Sequence, residues 1–257
     1  MVLSARDLTV VGLGTLINVA TILVGSLIGI TLGNRLPERT RTVVTDSLGM
    51  LVFVIAAFNI MALTDQAWID MVGGAATLLI VLGSLIVGAI IGSLLRIESR
   101  LESFGSWIQS KFSKGGDTGG RARFIEGFVD ASLIFCIGPL AILGALSDGL
   151  GLGIEQLALK SALDGFTSIA FAATMGWGVM AAAIAVGIYQ GAITIISMFA
   201  GSFLTEALVA SITATGGVIL IGVGLRILRI KSVAVGDMLP ALIIAPLLTL
   251  IVARFMG

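Results

Sequence analysis

Two aspartates lie where apolar stretches of the chain begin, and they are its first candidates for chemistry. Asp130 precedes Ala-Ser-Leu-Ile-Phe, and Asp164 precedes Gly-Phe-Thr-Ser. An acidic side chain in or near hydrocarbon is costly, so such a residue indicates a functional site. On a helix, Asp164 shares one face with Thr167 and Ser168, because residues three and four apart are neighbours. One carboxylate and two hydroxyls suit a hard cation such as Na⁺, Mg²⁺ or Mn²⁺, and the carboxylate can equally carry a proton.

Each aspartate also has a purely structural interpretation. Aspartate is favoured at helix starts, so both Asp130 and Asp164 can cap a helix from the membrane interface. Lys160, one turn before Asp164, can also neutralise that carboxylate. The sequence leaves the structural and the functional interpretation open for both residues.

Further polar or helix-breaking residues interrupt the apolar stretches. Gly138-Pro139 breaks one of them and frees backbone carbonyls, which are cation ligands in transporters with discontinuous helices; a simple kink is the alternative. Asn18, Tyr189 and Gln190 each lie in the middle of an apolar stretch. Each needs a polar partner there, so we expect all three to face the inside of a helix bundle. They either bond another helix or line a polar path.

The composition is that of a membrane protein. Of the 257 residues, 57% are hydrophobic and only 12% are charged, and the mean hydropathy is +1.13. A soluble domain has about 25% charged residues, so too few are present here to cover a water-facing surface. The 34 glycines are typical of spanning helices that pack closely. We therefore expect an all-α, polytopic protein embedded in a lipid bilayer.

Stretches of about 20 apolar residues predict eight spans. They are 10–33, 44–63, 72–95, 128–146, 161–176, 179–201, 208–228 and 237–254. The stretch 161–201 as a single helix would be about 60 Å long, twice the hydrocarbon thickness. A break at Gly176-Trp177-Gly178 is therefore favoured, and seven spans are the alternative. The N-terminal stretch is too long for a signal peptide and is predicted to be retained as the first span.

Basic residues predict the orientation of these spans. They concentrate in the first, third and seventh connections, whereas the second and sixth are acidic and the fifth is uncharged. By the positive-inside rule, the odd-numbered connections are cytoplasmic and both termini lie outside. The cytoplasmic connection 96–125 contains a segment, 97–108, that suits an amphipathic surface helix or an extension of the third span. A flexible linker is expected at 110–120, and residues 1–257 are expected to form one transmembrane domain.

A self-similarity relates the two ends of the chain at an offset near 168 residues. The aligned pairs are Gly33 with Gly201, Leu36 with Leu204, Thr45 with Thr213, Gly49 with Gly217 and, after one residue of slip, Asp70-Met71 with Asp237-Met238. Spans 1–3 would then correspond to spans 6–8 in the opposite orientation, around central spans 4 and 5. Such inverted repeats are the plan of many secondary transporters, whose sites lie near the midplane at the repeat interface. Asp130 and Asp164 would be related by this pseudo-symmetry, near opposite faces of the membrane.

Several functions are disfavoured by what the sequence lacks. It has no histidine, a single cysteine (Cys136) and a formal net charge of zero. Zinc sites built on His and Cys clusters and Ser-His-Asp triads are therefore not expected, and neither is nucleic-acid binding. The chain also has no P-loop and no nucleophile elbow. We expect neither an enzyme nor a cofactor, and the identity of any bound metal stays open.

Small residues recur at every fourth position in two of the spans. The rows are Gly25, Gly29 and Gly33, and Ser84, Gly88 and Gly92. Such rows indicate close helix packing. The partner is either another helix of the same chain or a second copy in a homo-oligomer.

Three blocks of the chain resemble one bacterial family. They are Gly14-Thr-Leu-Ile-Asn18 through Gly29 with Gly33-Asn-Arg-Leu-Pro37; Asp130-Ala-Ser-Leu-Ile-Phe-Cys136-Ile-Gly-Pro139 with Ser147-Asp-Gly149; and Lys160-Ser-Ala-Leu-Asp164-Gly-Phe-Thr-Ser168 with Tyr189-Gln-Gly191. On these blocks the chain resembles the YqgA/YdfK-like family of bacterial inner-membrane proteins, a domain-of-unknown-function family. The resemblance implies an inner-membrane protein of unassigned activity, with no established site residues. The third block is also similar, over a short stretch, to the manganese exporter family MntP, which hints at cations.

The sequence thus predicts a secondary transporter of a small solute or cation, coupled to H⁺ or Na⁺, that works by alternating access. Asp164 would be the coupling carboxylate, supported by Thr167, Ser168, Gln190 and the carbonyls near Gly138. The alternative is a non-transporting structural, scaffold or sensory membrane protein, homo-oligomeric through its glycine rows. A polar cavity that reaches both acids would favour transport, whereas a dry bundle with both acids in the headgroup layer would favour the alternative.

Overall fold

The computed structural model describes residues 11–112, 118–200 and 204–256, and its regular structure there is helical. The α-helices in these ranges are α1 (Leu13–Gly33), α2 (Glu38–Ile60), α3 (Gln66–Val72), α4 (Gly74–Leu95), α5 (Ile97–Phe112), α6 (Thr118–Cys136), α7 (Pro139–Gly149), α8 (Glu155–Met175), α9 (Trp177–Ala200), α10 (Glu206–Ile227) and α11 (Ala241–Met256). Short 3₁₀ turns at Met61–Thr64 and Gly236–Met238 precede α3 and α11.

The number of described helices able to cross a membrane is close to the predicted eight. Six are long and apolar enough, and α6 with α7, bent by 64° at their junction, would be a seventh. The remaining predicted span is α8, which has 21 residues but is made less apolar by Lys160 and Asp164. Nevertheless α8 follows α1 along its length, with Gly14 close to Leu157 at one end and Gly33 close to Ala173 at the other. It therefore runs through the same layer as α1, in the same direction.

The other long helices also pair side by side. The helices α6 and α7 run parallel to α9, whereas α2 is antiparallel to α10 and α4 is antiparallel to α11. As a result α1, α4 and α10 finish at the same end of the bundle, where Arg35, Arg96 and Arg229 follow them. We call this the basic end, and the end at which α1 begins the opposite end.

The small-residue rows of α1 and α4 find their partners within the chain. Gly25, Gly29 and Gly33 touch the α8 backbone at Gly165, Ile169 and Ala173, and Gly88 and Gly92 touch Ala241 and Asp237. A Cβ atom at any of these glycines would overlap backbone atoms of the neighbouring segment, so the close approach requires glycine. The packing of α1 on α8 is what brings the polar side chains of the two helices together.

Both aspartates lie inside helices rather than at their starts. The predicted spans begin at 128 and 161, whereas α6 begins at Thr118 and α8 at Glu155. Asp130 and Asp164 therefore do not cap these helices, and the capping interpretation is wrong for both. The predicted starts are late because the first turns of both helices contain charged residues, which a hydropathy criterion assigns to connections.

The predicted interruptions coincide with real breaks. Helix α8 ends at Met175 and α9 begins at Trp177, around Gly176 with φ 73°, so the division of 161–201 into two helices is confirmed. Gly138, between α6 and α7, has φ 156° and ψ 152°, a conformation almost restricted to glycine. Pro139 has no N–H, so the carbonyl of Phe135 has no helical donor four residues on. The backbone is thus opened in the middle of a predicted span.

The predicted connection 96–125 is largely helical. Arg96 has a left-handed backbone with φ 52° and ends α4, and α5 then begins as a separate helix. The segment 97–108 is therefore not an extension of the third span, and that alternative is wrong. The predicted flexible linker at 110–120 includes the end of α5 and the start of α6, and its central residues 113–117 lie outside the described residues.

Candidate functional site

Four buried polar side chains from three helices meet in the half of the bundle nearer the opposite end. We name them the Asp164 cluster: Asn18 of α1, Lys160 and Asp164 of α8, and Gln190 of α9. The ammonium of Lys160 donates a hydrogen bond to Asp164 Oδ2. Asn18 Nδ2 donates to the same oxygen over 3.0 Å and to Gln190 Oε1 over 3.2 Å. The four side chains therefore form one connected network.

The ion pair explains how α8 holds two charges in an apolar layer. Lys160 and Asp164 are one helical turn apart, so their side chains meet on the same face. Their residues are only 6% and 7% exposed, and a buried charge is tolerated when an opposite charge and hydrogen bonds compensate it. The predicted neutralisation of Asp164 by Lys160 is thus present in the structure.

Two fully buried side-chain atoms of the Asp164 cluster have no hydrogen-bond partner among the described residues. They are Asn18 Oδ1 and Gln190 Nε2, and both residues are fully buried. An unsatisfied buried polar atom costs about 1–3 kcal/mol. The cluster therefore has one free acceptor and one free donor with which a further ligand or water can pair.

The hydroxyls predicted to assist Asp164 are not drawn into this network. Ser168 Oγ donates over 2.8 Å to the carbonyl of Gly165 in its own helix and lies against Gly25. Thr167 is half-buried, and no hydrogen bond joins it to Asp164 among the described side chains. The groups that the fold assembles around this carboxylate are amides from α1 and α9 rather than hydroxyls of α8.

Two other predicted site residues lie close to the network without joining it. Tyr189 is half-buried on α9, next to Gln190 in the chain. Gly138 lies at the break between α6 and α7. The helix that follows this break packs on α8, with Gly144 close to Leu157, one turn before Lys160.

A second group of charges lies toward the basic end, and we name it the Asp130 cluster. It consists of Glu98 of α5, Asp130 of α6 and Arg226 of α10. Arg226 Nη1 donates to Glu98 Oε1 over 2.7 Å, and its Nε lies 3.4 Å from Asp130 Oδ1. Asp130 is 0% exposed, and neither of its carboxylate oxygens accepts a hydrogen bond from the part of the chain that the structure describes. This carboxylate therefore has a counter-ion but an incomplete shell of donors.

Glu98 is held in place by reciprocal hydrogen bonds with the 3₁₀ turn before α11. The Glu98 N–H donates to Asp237 Oδ1 over 2.8 Å, and the Gly236 N–H donates to Glu98 Oε2 over 2.5 Å. The start of α5 and this turn thus fix each other. As a result, Glu98 holds one side of the Arg226 guanidinium, while the other side faces Asp130.

A pocket of about 510 Å³ opens beside the Asp130 cluster. Its lining residues come from α5, the start of α6 and the end of α10: Glu102, Ala122, Ile125, Glu126, Arg226, Arg229, Lys231 and Ser232. Arg226 lines this pocket and also contacts Asp130. A ligand in the pocket would therefore meet the guanidinium first and the buried carboxylate behind it.

The two clusters are well separated along the bundle. Near the start of α9, Gly178 packs between Phe124 and Phe128 of α6, so Asp130 lies about one turn further along the bundle than Gly178. Gln190 of the Asp164 cluster lies more than three turns beyond Gly178 on α9. At 1.5 Å per residue, the two clusters are about 12 Å apart along the axis, so the two acids do not form a single paired site.

A third buried acid, Asp148 at the end of α7, holds the start of α1. Its two oxygens accept hydrogen bonds from the Gly12 N–H over 3.0 Å and the Gly14 N–H over 3.2 Å. A carboxylate at a helix N-terminus satisfies unpaired N–H groups and complements the helix dipole. Sequence reasoning missed this contact because its partners are more than 130 residues apart.

Sequence reasoning also missed Arg226 as a site residue, although a charge inside a predicted span is a usable signal.

The described residues offer no cluster of metal ligands. No group of three or more His, Cys, Asp or Glu side chains in the described ranges could hold a metal ion. Any ion at the Asp164 cluster would therefore bind to one carboxylate and neutral oxygens.

Comparisons with known proteins agree with the membrane architecture and do not assign an activity. A family model described as "Protein of unknown function (DUF554)" matches residues 13–250. An uncharacterized membrane protein of Bacillus subtilis strain 168, YdfK, is 30% identical over 242 residues, which are 94% of this chain and 97% of that protein. An uncharacterized protein of Escherichia coli K12, YqgA, is 30% identical over 239 residues, which are 91% of this chain and 94% of that protein. No solved structure matches the chain significantly.

Proposed function

Because the chain belongs to the DUF554 family of membrane proteins, whose function is unassigned, we propose its activity from its own geometry. It is a secondary transporter that moves a small solute or cation by alternating access, coupled to H⁺ or Na⁺. The bilayer is the bacterial inner membrane, and the basic end faces the cytoplasm, in accord with the positive-inside rule. Both termini then lie outside.

The observation that carries this proposal is the Asp164 cluster. A carboxylate, its ammonium partner and two amides, from three different helices, are buried together where apolar packing would be cheaper. Ionisable groups inside a membrane protein are expensive and typically mark ion or substrate paths. The unpartnered atoms of Asn18 and Gln190 supply donors and acceptors for an ion, a proton or a water. Asp164 is accordingly the coupling carboxylate.

The pairing of helices supports an inverted repeat of spans 1–3 and 6–8. In such a repeat, α1 corresponds to α9, and α8 corresponds to the α6–α7 pair. The parallel contact of α1 with α8 then has its counterpart in the parallel contact of α9 with α6–α7. The remaining contacts, α2 with α10 and α4 with α11, each join a helix to its own counterpart and are antiparallel, as an inverted repeat requires. A short helical segment also precedes both α4 and α11, and these segments contain the matched Asp70 and Asp237. Inverted repeats allow two halves to rock around a fixed site, which is a structural basis for alternating access.

The alternative, a non-transporting scaffold or sensory protein, is favoured by one observation. Asp164 is already neutralised by Lys160, so the pair can serve as a structural bond between polar helices. The two functions differ in what happens when the pair is removed without destabilising the fold.

The test is solute flux into proteoliposomes that contain the purified protein. The double variant Lys160→Gln with Asp164→Asn removes both charges together, so it leaves no uncompensated ion and is expected to fold. A panel of cations and amino acids is offered under imposed H⁺ and Na⁺ gradients. We expect uptake of at least one solute by wild type and, for the double variant, uptake at the level of empty liposomes.

Asp70→Asn is the matched control, because Asp70 is an exposed aspartate on α3 that accepts a hydrogen bond from Gln66. It should transport like wild type. Transport by the folded double variant at the wild-type rate would remove the pair from the mechanism and leave the scaffold function as the better account.

A further inference from the structure

The charges around the pocket at the basic end are of both signs. The cationic side chains Arg226, Arg229 and Lys231 come from the end of α10 and the residues after it, whereas Glu102 and Glu126 come from α5 and α6. These residues give the lining three cations and two acids, and Asp130 lies behind Arg226, buried and outside the lining. A simple anion placed here would meet two carboxylates, and a simple cation would meet three positive groups.

The ion pair at the inner side of this pocket is incomplete on both partners. Asp130 accepts no hydrogen bond, and its 3.4 Å distance to Arg226 Nε is longer than a good N–H···O bond. Arg226 has one good acceptor, Glu98, and a guanidinium offers five donors that match a carboxylate in a bidentate fork. A fully buried carboxylate with free acceptor sites thus lies beside a guanidinium with free donors.

We propose that this pocket binds a small zwitterion of the amino-acid class, which is the solute carried under the proposed function. The ligand carboxylate accepts hydrogen bonds from the Arg226 guanidinium, and the ligand ammonium donates to Glu102 and Glu126, which line the same pocket. Each charge on the ligand then faces the opposite charge on the protein. That the bound zwitterion is also transported rests on the proposed function, whereas its binding in the pocket does not.

The size and position of the pocket agree with such a ligand. Its volume of about 510 Å³ lies within the usual range for small-molecule sites. Ala122 and Ile125 add an apolar part to the lining, against which an aliphatic side chain of the ligand can pack. Arg229 is held in a left-handed backbone with φ 56°, uncommon for a residue other than glycine, at the end of α10 beside the pocket. The pocket lies about 12 Å from the Asp164 cluster along the bundle, which separates solute binding from ion coupling.

The test is ligand binding to the full-length purified protein in detergent, measured by calorimetry or by thermal stabilisation. Alanine is compared with its two halves, propionate, which lacks the ammonium, and ethylamine, which lacks the carboxylate. We expect saturable binding of alanine and at least about tenfold weaker binding of either half. Glycerophosphoethanolamine, a lipid headgroup with the same two charges, should bind more weakly than alanine.

Two variants and one control assign the binding to named residues. Glu126→Gln and Arg226→Lys should each weaken alanine binding at least tenfold, because the first removes a charge facing the ammonium and the second removes the guanidinium donors. Arg226→Lys keeps the positive charge, so its fold is protected. Arg39→Gln, an exposed position on α2 outside the pocket lining, should bind alanine like wild type.

The outcomes separate this inference from the proposed function. Equal binding of propionate and alanine, unchanged alanine binding in Glu126→Gln, or preference for glycerophosphoethanolamine would each overturn the zwitterion site. If alanine binds as expected but is not carried into proteoliposomes, the binding site stands and transport of this solute fails. If another solute is transported but alanine does not bind, the proposed transport function stands and the proposed zwitterion site is wrong.

Discussion

The Asp164 cluster and the Asp130 cluster contain the same kind of pair, a buried carboxylate with a cationic partner, yet they are built differently. Asp164 accepts hydrogen bonds from Lys160 and Asn18 and lies between tightly packed helices. Among the described residues, Asp130 has a 3.4 Å contact with Arg226 and accepts no hydrogen bond, and Arg226 lines a pocket of about 510 Å³. The first carboxylate is satisfied by the protein, whereas the second has an incomplete shell of donors.

Under the proposed function, this difference corresponds to two roles. A satisfied internal pair resists change until a proton or ion competes for it, which suits coupling. Arg226, which lines the pocket and is incompletely paired, is the group at the second cluster that a ligand can reach, which suits solute recognition. The ends of the bundle differ in the same way, because Asp148 ties α7 to the start of α1 at the opposite end, whereas the pocket opens at the basic end.

The largest expected effect is a contrast in stability between the same substitution at the two clusters. Asp164→Asn leaves the buried Lys160 ammonium without its counter-ion and should destabilise the protein by about 3–5 kcal/mol. Asp130→Asn should change stability by less than about 1 kcal/mol, since this carboxylate accepts no hydrogen bond and Arg226 keeps Glu98. Thermal or denaturant unfolding in detergent measures both.

A control accompanies that contrast. Adding Lys160→Gln to Asp164→Asn removes the stranded charge and should restore most of the lost stability. Similar losses for Asp164→Asn and Asp130→Asn would show that the two clusters are energetically alike and would break the comparison.

A smaller effect is expected from the packing that positions the Asp164 cluster. Gly25→Ala places a methyl group against Gly165 and Ser168, so it should destabilise the protein by about 1–3 kcal/mol and move Asn18 away from Asp164. Gly191→Ala in α9 is the control, because a Cβ there meets no atom within 4 Å. It should be neutral or stabilising by up to about 1 kcal/mol. Equal unfolding temperatures for the two variants would contradict the close α1–α8 contact.

The smallest effect concerns the carboxylate that holds the start of α1. Asp148→Ala removes the acceptor for the Gly12 and Gly14 N–H groups and should cost about 0.5–2 kcal/mol. Asp65→Ala, which removes the cap of α3 at Trp68, should cost about the same. Hydrogen exchange at the first turn of α1 should rise only in the Asp148 variant; exchange that is unchanged there would mean that Asp148 does not secure this end.

Much of the architecture is predictable from the sequence because apolar length and glycine breaks act locally. The spans, the break at Gly176 and the opened backbone at Gly138 follow from hydropathy, residue size and the missing N–H of Pro139. The start of α8 is not predictable in this way, because the charges of Glu155 and Lys160 are typical of a connection between spans. Only the pairing of Lys160 with Asp164 explains why Lys160 lies inside the helix.

The composition of the sites is harder to predict than the spans. Both acids are recognisable as unusual, but their partners come from other helices: Asn18 is 146 residues from Asp164, and Arg226 lies in the seventh predicted span. Face-sharing within one helix suggested Thr167 and Ser168, yet the packing of α1 and α9 on α8 brings amides to Asp164 instead. Partners across helices depend on packing geometry, which the periodicity of one helix does not contain.

The central claim, the proposed alternating access, is tested most directly by thiol accessibility in a Cys136→Ser background, because it requires that the Asp164 cluster be open to the outside in one state and the pocket at the basic end be open to the cytoplasm in the other. Ala122→Cys reports the pocket at the basic end, and Ser161→Cys, buried on α8, reports the Asp164 cluster. Membrane-impermeant thiol reagents are applied from each side across a panel of pH values, Na⁺ concentrations and amino acids. The account predicts that any condition that raises labelling of Ser161→Cys from the outside lowers labelling of Ala122→Cys from the cytoplasmic side. Labelling that changes in parallel at the two positions, or at neither under any condition, would contradict it.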